Sequence, residues 1–226
     1  MLVVGLTGGI ACGKSTVSNR LRSRHALPIV DLDELARRVV EPGRVAHRRI
    51  VKRFGDTILF ADGTIDREAL GALIFADRES RRALNKATHL PILWELLCDL
   101  DAAQSAGASM VILDAPLLFE SGLHLLCGTT VVVRASDRTQ RERLQSRDGR
   151  TAEDAEQRIA SQMPVAAKAA RAQHVIDNEA SLEATNQQVD ALVVKLAGLS
   201  GGILRGLLLH VLLLGVRLAG WLMGGG

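Results

Sequence analysis

A chain of 226 residues, 47% hydrophobic and 23% charged, is long enough to bury one substantial core and too apolar to be disordered. A formal charge of +3 and a pI near 9.0 suit phosphate-bearing ligands, whereas aromatics at 3%, with no basic run interleaved among them, exclude a stacking platform for single-stranded nucleic acid. Cys12, Cys98 and Cys127 are odd in number, far apart and without a CxxC pair, which fits a reducing compartment and excludes a zinc site.

The first apolar run, residues 2–6, reads as a strand and leads into "GLTGGIACGKST". There Gly8 and Gly13 bracket four residues and Lys14 and Ser15 follow at once, the phosphate-binding pattern GxxxxGK[ST]. Glycines let the backbone N–H groups of Gly8, Gly9, Ile10, Ala11, Cys12, Gly13, Lys14, Ser15 and Thr16 curve around phosphate oxygens, and the helix expected from Lys14 adds its positive end. On this reading Lys14 reaches the β- and γ-phosphates of ATP and the Ser15 hydroxyl ligates Mg²⁺. Cys12 is read as a small residue that fits the loop rather than as a redox switch.

A second strand, residues 28–30, ends in "VDLDELARRV", which puts Asp31 and Asp33 at the sheet edge where active-site groups of parallel sheets gather. Asp33 and Arg37, four apart, share a helical face. Residues 32–107 are too long for a simple crossover and hold helical segments at 67–75 and 82–104, so about 34–107 is read as a helical substrate-binding insert. The strand at 110–113 carries Asp114, Pro116 and Glu120 to the same edge. After a strand at 129–133, the charged stretch 137–171 supplies Arg141, Arg143, Arg147 and Arg150, with Arg143 and Arg147 on one helical face. Phosphoryl transfer needs such arginines to neutralise the transferring oxygens, and about 138–171 is read as a charged mobile lid. A last strand at 175–176 completes an α/β pattern, which implies a parallel five-stranded sheet with helices on both faces.

From residue 2 to about residue 196 the chain resembles the dephospho-coenzyme A kinases. The likeness rests on "GLTGGIACGKSTV", "VDLDELAR", "FGDTIL", "DGTIDREALGALIF", "LNKATHLPI", "ILDAPLLFESG", "TQRERLQSRDG", "RIASQMP" and "HVIDNEAS". The resemblance implies a P-loop NTPase fold of the nucleoside monophosphate kinase type and transfer of the γ-phosphoryl of ATP to the ribose 3′-hydroxyl of dephospho-coenzyme A. It assigns Asp33 to that hydroxyl, with Arg37, His89, Asp114 and Pro116 on the substrate side. Arg143 and Arg147 would come from the lid, and Asn178 would lie near the ATP base. Two features depart from the family pattern. Its His-Pro is here "HLP", His89 to Pro91, and its Ala-Asp before the last strand is here "AQH", Ala172 to His174.

Residues 1–197 are thus read as the kinase-like domain and 198–226 as a hydrophobic tail that contacts a membrane. The tail is rich in leucine, lacks acidic residues and carries Arg205 and Arg217. A span needs about 20 apolar residues, so crossing requires both arginines to reach the interface, and lying flat is the equal alternative. With the first strand starting at Leu2, no cleavable targeting segment is expected; the tail suits mitochondria or another intracellular membrane, and the resemblance to animal members of the family favours mitochondria, with the cytoplasm as the alternative. The rivals are another small-molecule kinase, a membrane-attached nucleotide-binding scaffold without turnover, and a GTPase, for which "NKAT", Asn85 to Thr88, lacks the acid of the base reader.

Overall fold

The apolar runs become five strands, β1 Leu2–Gly8, β2 Ile29–Asp31, β3 Met110–Asp114, β4 Thr129–Arg134 and β5 His174–Asp177, in the computed structural model of the chain. The structure describes residues 1–148, 151–198, 212 and 215. Of the residues singled out in the sequence, Arg150, the side chain of Arg147 and nearly all of the tail lie outside the described residues.

The strands lie in the order β2-β3-β1-β4-β5, and β1 pairs in parallel with both β3 and β4. Every residue of β1 and β3 is buried, as a strand covered on both faces requires. Because β1 has β3 on one side and β4 on the other, the chain order reverses at its C-terminal end. That crevice is where doubly wound sheets bind ligands, and the phosphate loop joins β1 to helix α1, Lys14–His25, at this point.

The chain forms two units, the first made of residues 1–30 and 102–214, the second of residues 31–101 and 215–226. In the first, Val4, Leu6, Val17, Ile112, Val131, Ile176 and Val189 share one core. It holds four helices besides α1, and α9, Leu182–Ala197, starts where Ser181 accepts the Ala184 N–H. Arg20 of α1 grips Asp190 of α9 through two hydrogen bonds of 3.1 and 2.6 Å.

The second unit holds α2 Leu32–Arg38, α3 Val45–Phe54, α4 Arg67–Ala76 and most of α5 Arg78–Ser105. Ile50, Ile58, Ile65, Leu70 and Ala87 form its core. Asp31 and Asp66 cap α2 and α4 by accepting two backbone N–H groups each. The sequence-based insert, about 34–107, overlaps the stretch Asp31–Asp101 of this unit. The displaced proline of "HLP" sits inside α5, which continues through Pro91 despite the lost N–H.

The predicted lid stretch contains α6 Asp137–Asp148, α7 Ala152–Ala160 and α8 Val165–Arg171. Glu179 anchors the start of α6 by accepting from the Ser136 N–H and from the hydroxyls of Ser136 and Thr139 at 2.8, 2.7 and 2.6 Å. The Thr139 bond first, then the two from Ser136, pull this carboxyl from its ordinary 4.5 down to about 2. A carboxyl depressed on folding adds stability above its unfolded value, and that contribution is lost as pH falls through the folded one. Glu179→Gln should therefore be less stable than the parent at pH 6, with the gap closing between about pH 4.5 and 2. Urea unfolding across that range tests this, and a gap that stayed constant would contradict it.

Candidate active site

Gly13 shows why the loop needs glycine. Its φ is +85°, and a Cβ there would lie 2.0 Å from Asn178 Nδ2. At the other end, a Cβ on Gly8 would sit 2.7 Å from the Val133 carbonyl oxygen. Three side chains from outside the loop hold its carbonyls. Lys168 Nζ donates to Gly8 O at 3.3 Å, Arg143 Nη1 to Ala11 O at 3.4 Å and Asn178 Nδ2 to Cys12 O at 2.8 Å. Among the described residues no peptide bond is cis, so a carbonyl turned to such a donor points the following N–H in the opposite direction within its peptide plane.

Lys14 Nζ lies 2.5 Å from Asp114 Oδ1. The carboxylate side chain is 3% exposed and the lysine 19%, so this ion pair is largely shielded from water. It brings the loop lysine and the end of β3 together. Ser15 is exposed on the first turn of α1. Cys12 is fully buried, and burial pushes its thiol up from the ordinary value, which fits a packing role.

Asn178, expected beside the ATP base, is committed to structure. Its amide oxygen accepts from the Thr185 hydroxyl at 2.7 Å, its Nδ2 holds the loop, and its carbonyl accepts from Arg143 Nη2 at 2.9 Å. Pro116 contributes a carbonyl that accepts from Thr7 Oγ1 at 3.0 Å and from Lys168 at 2.7 Å. Beside Gly9 and Ile10 a cavity of about 330 Å³ is lined by Asp137, Gln140, Ile159 and Pro164.

Asp33 and Arg37 are exposed on α2 of the second unit. Among the described residues no ion pair joins them; the tethered arginine is Arg38, bound to Glu95 at 3.1 Å and Asp99 at 2.8 Å. This unit contains a cavity of about 720 Å³ lined by Val39, Arg44, Val45, Arg49, Trp94 and Leu97 among others. His89, expected to face the substrate, is exposed and is not part of that lining.

Sequence reasoning missed Lys168 and Gln140. Both are buried, Lys168 completely, and neither belongs to a local motif. The "AQH" departure now has an explanation. Gln173 Oε1 accepts from both the Thr130 N–H at 2.8 Å and its hydroxyl at 2.7 Å, so the amide supplies an acceptor without a carboxylate. Among the described residues no group of three or more His, Cys, Asp and Glu side chains could cage a metal ion, and no helix is long and apolar enough to cross a membrane.

A family model described as dephospho-CoA kinase matches residues 2–184. The chain is 45% identical over 200 residues to a dephospho-CoA kinase of Saccharomyces cerevisiae, covering 87% of this chain and 83% of the relative. It is 47% identical over 197 residues to the dephospho-CoA kinase domain-containing protein of Danio rerio, covering 87% and 86%. Among solved structures it is similar to TT1252 from Thermus thermophilus, with a TM-score of 0.73 and 34% identity over 87% of this chain and 98% of that one. A dephospho-CoA kinase from Campylobacter jejuni shares the fold, with a TM-score of 0.60 at 22% identity over 85% and 96% of the two chains.

Proposed function

The chain belongs to the dephospho-CoA kinase family, and on that premise we propose that it transfers the γ-phosphoryl of ATP to the ribose 3′-hydroxyl of dephospho-CoA, giving CoA and ADP. The observation that carries this reading is the shielded Lys14–Asp114 pair beside a phosphate loop whose Gly8, Ala11 and Cys12 carbonyls accept from Lys168, Arg143 and Asn178. The Lys14 ammonium and loop amides bind the triphosphate, whereas the Cys12 and Thr16 N–H groups are given to the Gly9 and Gly13 carbonyls at 3.2 and 3.0 Å. Arg143 has five N–H donors and directs two nitrogens to carbonyls, so donors remain for phosphate oxygens.

Asp33 is the carboxylate assigned to the acceptor hydroxyl, which it aligns and whose proton it takes as the O–P bond forms. Arg37 on the same helix offers charge to the acceptor's phosphates. The cavity of the second unit, apolar but for Arg44, Arg49 and Glu95, suits a long ligand that carries a pyrophosphate. The exposed Ser15 hydroxyl would be the protein's donor to Mg²⁺, an ion that would neutralise phosphate charge and needs few protein ligands.

Purified full-length protein and a chain ending at Gly198 should both form CoA and ADP in equal amounts from ATP and dephospho-CoA. Faster phosphorylation of shikimate or a nucleoside monophosphate would replace the acceptor, and ATP binding without turnover would favour the scaffold reading. The apolar residues 199–226 support attachment to an intracellular membrane, with mitochondria favoured. Only the full-length chain should then stay with membranes after carbonate extraction; equal fractionation of the two would remove the anchor.

A further inference from the structure

Among the described residues Lys168 is the one lysine in the set of largest fully buried side chains, and its ammonium faces two carbonyl acceptors and a carboxylate. They are Pro116 O at 2.7 Å, Glu120 Oε1 at 3.1 Å and Gly8 O at 3.3 Å. These acceptors belong to separate parts of the site. Gly8 begins the phosphate loop at the end of β1. Pro116 lies two residues beyond Asp114, the partner of Lys14. Glu120 also accepts the Met163 N–H at 3.2 Å, where the chain leaves α7 for α8. Burial would raise the Glu120 carboxyl, but its own backbone N–H, the Lys168 hydrogen bond and charge, and the Met163 N–H outweigh this and hold it below the ordinary value. The Glu120 carboxylate thus faces the fully buried Lys168 ammonium at 3.1 Å.

We propose that Lys168, anchored by Glu120, is a positioning residue that fixes the phosphate loop relative to Asp114 and ties both to the base of the predicted lid. The physical case is that a buried ammonium is costly unless all its protons are used, so its three acceptors are locked at one separation. The Gly8 carbonyl, drawn to the cation, fixes the first peptide plane of the loop. The Pro116 carbonyl fixes the segment that presents Asp114 to Lys14. A pattern of carbonyls held on one side leaves the loop amides preorganised for phosphate, so less reorganisation accompanies binding. This rests on the nucleotide-binding reading of the loop but not on the identity of the acceptor.

The test uses full-length Lys168→Met and Glu120→Ala, with ATP affinity measured by equilibrium titration of a fluorescent ATP analogue, alongside thermal unfolding and kcat. Both variants should weaken nucleotide binding, Lys168→Met by roughly 10- to 100-fold and Glu120→Ala by less, because hydrogen bonds to a charged group are lost in each. Glu120→Gln, which keeps the acceptor oxygen, should recover most of the affinity lost in Glu120→Ala. A folded Lys168→Met protein with parental ATP affinity and kcat would overturn the proposal, since a purely structural role lowers only the unfolding temperature. If Lys168→Met does not fold, parental affinity in Glu120→Ala overturns it instead. Failure of the dephospho-CoA reading would appear separately, as parental ATP affinity in the unsubstituted protein without CoA formation.

Discussion

Replacing Lys14 by Ala is expected to lower kcat about 10²- to 10³-fold, the cost of removing one charged donor from a preorganised phosphoryl site. ATP affinity should fall as well, because the ammonium binds the triphosphate in the ground state and the transition state alike. The geometry adds a second consequence. Asp114, 2% exposed, loses its 2.5 Å partner, so the variant should also lose stability, by roughly 1–3 kcal/mol. The double substitution Lys14→Ala with Asp114→Asn separates the two effects. It should regain part of the unfolding temperature and none of the turnover. Single-turnover phosphoryl transfer at the parental rate in Lys14→Ala would remove this lysine from the chemistry.

Asp33→Asn is expected to reduce turnover by about 10²-fold or more while leaving ATP affinity within about twofold of the parent. The amide can still align a hydroxyl but cannot take its proton, and the loop that binds ATP belongs to the other unit of the chain. Since the transition state is loose, alignment carries much of the effect, so Asp33→Ala should be slower still than Asp33→Asn. Stability should barely change, because Asp33 is exposed and the α2 cap comes from Asp31. Equal turnover in parent and Asp33→Asn would assign the acceptor hydroxyl to another group.

Much of this was legible in the chain. Runs of Val, Ile and Leu at 2–6, 110–113 and 129–133 marked strands because a sheet covered on both faces leaves no polar face to interrupt them. The phosphate loop was legible because its chemistry is local: glycine spacing, a lysine and a hydroxyl at a strand-to-helix turn. Reading Asn178 from the family motif gave a residue of the site, but its bonds to Cys12 O and Thr185 follow from packing that no motif displays.

Lys168 marks the limit. In "VAAKAAR" a lysine among alanines looks like the solvated face of a short helix, and nothing nearby signals burial. Its partners Gly8 and Pro116 are 160 and 52 residues away, and Arg143 reaches Ala11 across 132. By itself the sequence determined what repeats or closes over a few residues: the strand and helix periods and the loop. Which carbonyls would meet a buried cation was decided only by the strand order β2-β3-β1-β4-β5, because hydrophobic pattern fixes which face of an element is buried but not which element lies beside it.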